Sequence, residues 1–202
     1  MKTRLFTFFL SAAVASLVLA QAPAATQRIR GTVESLQGNT LKVKARGGES
    51  LTVHLADNAM IVGIAKASIA DLQSGRYIGS TTVGERDGAL VALEVHIFPE
   101  SMRGTGEGHR DFDARPNSKM TNAAVADIKS VGADRVMTVN YKGGEKKILV
   151  TSDTVVVSYQ PADRSHVKPG AGLYINAAEK KPDGSYSASR INVGLDGQAP
   201  PF

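Results

Sequence analysis

Apolar and polar residues alternate with a period of two along much of this chain: Ile29, Gly31 and Val33, then Leu41, Val43 and Ala45, then Leu51, Val53 and Leu55. An extended backbone sends successive side chains to opposite faces, so each run predicts a strand with one buried face. Gly38-Asn39 and Gly47-Gly48 separate the runs and suit tight turns that need positive φ. A further apolar stretch, 60–64, follows Asp57. Residues 66–74 then predict a short helix, with Ser68 as N-cap, Ile69 and Leu72 as its apolar contacts and Gly75 as its stop. Strands are expected again at 77–83 and 89–97, joined by Asp87-Gly88.

The second half repeats this grammar. Gly47-Gly48-Glu49 returns as Gly143-Gly144-Glu145, Asp57 as Asp153 and Asp87-Gly88 as Asp183-Gly184, each 96 positions later. Val43 is answered by Val139, Val53 by Leu149, Ala92 by Ala188 and Val95 by Ile191; Gly75 is answered by Gly170, one residue out of step. Strands are therefore expected at 124–131, 135–141, 146–151, 172–178 and 186–193, with a short helical connector at 162–168 stopped by Pro169-Gly170. Such a period is too long for a solenoid unit and suits a duplicated small domain. Three meandering strands, a small helix and two more strands is the order of an OB-type barrel, although SH3-like barrels would give a similar string. The expected fold is all-β: two tandem five-stranded OB-like barrels, at 27–98 and 123–197, each with a short helix between strands three and four.

Between the repeats, 99–122 differs in composition. It holds Gly104, Gly106 and Gly108, two prolines, many charges and few apolar residues, and reads as a charged, glycine-rich linker.

Residues 1–20 read as a secretory signal peptide: Lys2 and Arg4 open it, residues 5–20 carry no charge, and Val18-Leu19-Ala20 precedes the expected cut. No other run is apolar enough to span a bilayer, so a channel or permease is excluded and no membrane span is expected after cleavage. Loss of Lys2 and Arg4 takes the net charge from +5 to +3, a mild excess that favours anions slightly without pointing to nucleic acid. Cysteine is absent, which removes disulfides, thiol catalysis and thiolate metal ligation together. The expected location is the periplasm.

Three sets of side chains could carry chemistry. In the linker Glu107, His109, Asp111 and Asp113 alternate, so one side of an extended segment could offer nitrogen and oxygen to a divalent cation, with His96 nearby in sequence. Arg103, Arg110 and Arg115 oppose that, and no recognised ligand spacing is present. Gly104-Thr105-Gly106-Glu107-Gly108 fails the context of a dinucleotide loop, because no helix is announced after it. His54 and His96 each lie between core aliphatics and are expected on outer strand faces; no catalytic motif accompanies them, so no enzyme and no cofactor are expected. The third set is a basic stripe, Lys42, Lys44 and Arg46 on strand two with His54 on strand three, the binding face of an OB-type barrel; Arg103 and Arg110 of the linker would extend it. The second repeat carries Thr138, Asn140 and Lys142 at the matching positions, so the stripe is largely lost there.

The pattern Gly31-x-Val33, a hairpin, Asp57, Leu72-x-x-Gly75 and Asp87-Gly88-x-x-x-Ala92 is similar to an uncharacterised domain of bacterial exported proteins, a domain of unknown function often found in tandem. The resemblance covers both repeats and omits the linker. Its motifs are turn and core residues, so it implies a fold and assigns no catalytic residue. Some chains of this look are labelled as metal-transporter components, which implies a metal-handling alternative. Ala126 stands where the first repeat has Gly31, a departure in the first strand of the second repeat.

The sequence thus leads to an exported, non-enzymatic binding or accessory protein whose partner is an envelope protein, an anionic polymer or a lipid headgroup. The alternative is a periplasmic metal-binding protein using His96, Glu107, His109, Asp111 and Asp113.

Overall fold

A computed structural model describes residues 26–201, and the segment read as a signal peptide lies outside the described residues. The described residues are all-β, with twelve strands: β1 (Thr26–Gln37), β2 (Thr40–Ala45), β3 (Ser50–Lys66), β4 (Tyr77–Arg86), β5 (Ala89–Ile97), β6 (Gly108–Asp111), β7 (Lys119–Val131), β8 (Asp134–Tyr141), β9 (Gly144–Val150), β10 (Val155–Pro161), β11 (Gly172–Lys180) and β12 (Tyr186–Gly194). The expected alternation holds in β2, where Leu41, Val43 and Ala45 are buried and Lys42 and Lys44 exposed. Asp87 and Gly88 both adopt positive φ, 53° and 75°, the conformation that joins β4 to β5 by a tight hairpin.

The pairing crosses the boundary between the repeats. β1, β2 and β3 meander antiparallel, β11 pairs with β1, β12 pairs with β11, and β12 closes the ring by running parallel to β3. This closed five-stranded barrel takes three strands from the first repeat and two from the second. Its core holds Val33, Leu41, Val43 and Val53 with Leu173, Ile175, Ile191 and Val193, all at most 2 % exposed. A second ring of pairings has the reciprocal make-up. β7, β8 and β9 meander, β4 and β5 come from the first repeat, and β5 meets β9 in parallel through Leu90–Ile148 and Val91–Leu149. Ile78, Val95, Met137, Val139, Ile148 and Val150 are buried inside it. The expected spans 27–98 and 123–197 thus do not each enclose a ring. Hydrophobic alternation marks a buried face without naming the strand that must lie beside it, and β4 and β11 hold matching places in the two repeats.

β10 links the rings, antiparallel to β3 and parallel to β5, so a continuous seam β12–β3–β10–β5 runs through the molecule. The sequence reading left β10 out, and it divided the 17-residue β3 into two apolar runs.

Two further expectations are corrected. The helix at 66–74 shrinks to one 3₁₀ turn, Ile69–Asp71, and the connector at 162–168 to another, Arg164–His166. The sheet has first claim on these segments: β3 extends through Lys66, the Ala67 N–H donates to the Val156 carbonyl, and β10 extends through Pro161. The residues left over are too few to nucleate an α-helix. The linker 99–122 is also ordered. It forms a 3₁₀ turn at Glu100–Met102, then β6, which pairs with the start of β7 from Gly108–Asn122 to Asp111–Lys119.

Candidate functional site

The outer faces of the two rings meet across the seam. On β12, Ile191 and Val193 point into the first barrel, so Arg190 and Asn192 point out of it. On β5, Val95 and Ile97 fill the second ring, so Glu94 and His96 point away. Both outward pairs face a cavity of about 150 Å³. Tyr159 of β10 and Ile64 of β3 line it from the seam, Tyr174 of β11 and Asn122 of β7 from either side. Thr105, Gly106, Arg110 and Phe112 of the former linker line it too, as do Pro200 and Pro201 of the tail.

His96 was expected to face outward, and it does, but the other ring covers that face and leaves the residue 5 % exposed. Its ring stacks on Tyr159 at 4.7 Å and 8° and meets Phe98 edge-on at 4.8 Å. Nδ1 lies 2.8 Å from Glu94 Oε1, and the Thr81 hydroxyl donates to Glu94 Oε2 at 3.3 Å. Glu94, 2 % exposed, is therefore satisfied by neighbours on its own sheet. Burial pushes the Tyr159 hydroxyl well above its ordinary range, with Glu94 adding to the rise and Arg190 opposing it.

The rest of the lining is less complete. Arg190 Nε, Asn122 Oδ1 and Asn192 Oδ1 are buried without a hydrogen-bond partner among the described residues. The Asn122 amide nitrogen donates to the Thr105 carbonyl and that of Asn192 to the Tyr174 carbonyl, both at 3.0 Å, so each amide turns its bare oxygen to the remaining side. Burial lowers the Arg190 pKa, because desolvation disfavours the guanidinium charge. No carboxylate among the described residues lies within ion-pair distance of it. Native interiors satisfy the great majority of buried polar groups, so three open ones around a single cavity are uncommon.

The sequence-derived candidates are distributed differently. Lys42 and Lys44 are exposed on β2 as expected, the former donating to the Thr52 hydroxyl at 2.8 Å, while Arg46 borders a shallow groove with Arg28 and Arg30. His54 is exposed on β3 opposite Ser187. Arg103 is clasped by Glu100 and donates to the Gly75 carbonyl, so it is a structural tie. Of this set only Arg110 reaches the seam cavity, where it donates to the Gly106 carbonyl.

The proposed metal ligands are each engaged elsewhere. Glu107 accepts from the Lys142 N–H, His109 Nδ1 lies 2.8 Å from the Thr121 hydroxyl, Asp111 pairs with Lys119, and Asp113 is held by Arg30 and Arg28. Burial lowers the His109 pKa, and Lys146 and Lys119 push it the same way. Among the described residues no group of three or more His, Asp or Glu side chains is placed to hold a metal ion. No helix among them is long and apolar enough to cross a membrane.

Sequence reading missed Glu94, Asn122, Tyr159, Arg190 and Asn192. One signal was present: Glu94 and His96 interrupt apolar β5 at the positions where, 96 residues on, Arg190 and Asn192 interrupt β12. Comparison with family models, with curated proteins and with solved structures returned no match.

Proposed function

We propose that this chain is an exported, periplasmic binding protein without catalytic turnover, built from two OB-like barrels that descend from one duplicated unit and have exchanged their last two strands. Its ligand is a small molecule, and the seam cavity is its site. The single observation that carries this reading is the convergence of three unpaired buried polar atoms, on Asn122, Asn192 and Arg190, around one cavity. Each open donor or acceptor costs about 1–3 kcal/mol when left dry, a cost that a ligand with matching groups relieves. Pockets of this kind, apolar with a few converging polar groups, are the usual sites of small-molecule recognition.

The basic stripe of Lys42, Lys44 and Arg46 supports a second role, contact with an anionic envelope polymer or headgroup, because Lys42 and Lys44 stand exposed side by side on β2. The metal-handling alternative has less behind it, since its five side chains already pair with separate neighbours: His96 with Glu94, Glu107 with Lys142, His109 with Thr121, Asp111 with Lys119 and Asp113 with Arg30.

The test is a calorimetric screen of small polar and aromatic metabolites against the purified protein. One-to-one binding is expected for at least one compound, and it should vanish in Asn122→Trp, which fills the cavity. Binding that survives the filled cavity in a folded variant would move the site elsewhere.

A further inference from the structure

We infer that the ligand of the seam cavity is a small planar aromatic carboxylate that also bears an O–H or N–H donor; this rests on the reading of the cavity as a ligand site. Size comes first. A dry cavity of 150 Å³ accommodates benzene, so about 150 Å³ here admits one substituted aromatic ring and excludes nucleotides and sugars larger than a single ring.

Charge comes second. Glu94 is occupied by His96 and Thr81, and it forms no ion pair with Arg190. Arg190 is left half-buried with its buried Nε open, and Arg110, exposed on β6 and donating to the Gly106 carbonyl, adds a second guanidinium to the lining. A buried charge without a counter-ion is costly, and the planar guanidinium fork matches a carboxylate. An anion answers both.

Shape and donors complete the class. His96 and Tyr159 are stacked, Phe98 stands edge-on to both, and Phe112 and Tyr174 also line the cavity; such walls prefer a flat ring. The two amide oxygens cannot be satisfied by a carboxylate, which only accepts. Because their amide nitrogens are already bound to backbone carbonyls, Asn122 and Asn192 ask the ligand for a donor. A plain benzoate would leave them empty.

The probes are 3- and 4-hydroxybenzoate, with benzoate and the corresponding hydroxybenzamides as controls, titrated calorimetrically into the protein. One hydroxybenzoate isomer should bind one-to-one. Its neutral carboxamide and donor-free benzoate should each bind at least about tenfold more weakly, the loss of one charge-assisted or buried hydrogen bond. Arg190→Met should lose at least as much while keeping the far-ultraviolet spectrum of the parent. A carboxamide as tight as its acid, or an undiminished Arg190→Met, overturns the inference. If Arg190→Met does not fold, the acid–amide comparison on the unaltered protein decides alone. Uptake at the seam of neutral or cationic compounds only overturns the ligand class and leaves the cavity reading standing, whereas a cavity that takes no compound at all removes both.

Discussion

Gly79 of β4 lies between His96 of β5 and Asn122 of β7, and its bare Cα lets the two side chains close over it. A methyl group at its Cα would lie 2.7 Å from Asn122 Oδ1 and overlap His96 Nε2, and the backbone φ there is not in the left-handed region, so the constraint is space alone. Gly79→Ala must push His96 off Tyr159 or tilt Asn122. Over-packing of this kind costs about 1–3 kcal/mol. The variant should show a lowered urea midpoint with unchanged slope, and ligand affinity should fall with it. An unchanged midpoint would mean that the His96 stack yields without cost. At this scale the sequence was half legible. The period of two gave the direction of His96, but not that another ring would cover it, because a pattern describes one strand and burial depends on what packs against it.

The insertion between the repeats works as a brace. Phe112 lies under the Arg28 guanidinium at 5.0 Å, and Asp113 pairs with Arg30 at 2.8 Å and Arg28 at 3.1 Å, tying the end of β6 to β1 of the first barrel. Partial burial alone would raise the Asp113 pKa, but Arg30 and Arg28 more than reverse that and hold it below its ordinary 3.8. A carboxyl depressed by folding contributes stability that is present above the unfolded value and lost as pH falls through the folded one. The parent protein should therefore lose more stability between pH 7 and pH 3 than Asp113→Asn, as read from urea midpoints at the two pH values. Equal losses would show that the clasp contributes nothing. Charge and glycine made this segment look like a linker, and the feature that orders it, pairing of Gly108 to Asp111 with β7, is a backbone interaction that composition does not encode.

For the whole molecule, the 96-residue period was legible and the exchange of strands was not. β4 and β11 stand at matching places in the two repeats, and β11 is the one that joins β1. The consequence is testable with half-chains. Residues 27–98 expressed alone would lack β11 and β12 and leave β1 and β3 as open edges, so no folded monomer is expected from circular dichroism and size-exclusion chromatography. Mixing with 99–202 should restore the β spectrum in a one-to-one complex. A well-folded monomer of 27–98 would show that the first repeat can close its own barrel. A half-length chain with this topology could bury its open edges against a second copy of itself, so the arrangement is the one that a strand-exchanged homodimer of half-chains would have. Held in a single chain, the two halves need not contribute alike to the common seam, and matching positions there carry Glu94 in one half and Arg190 in the other.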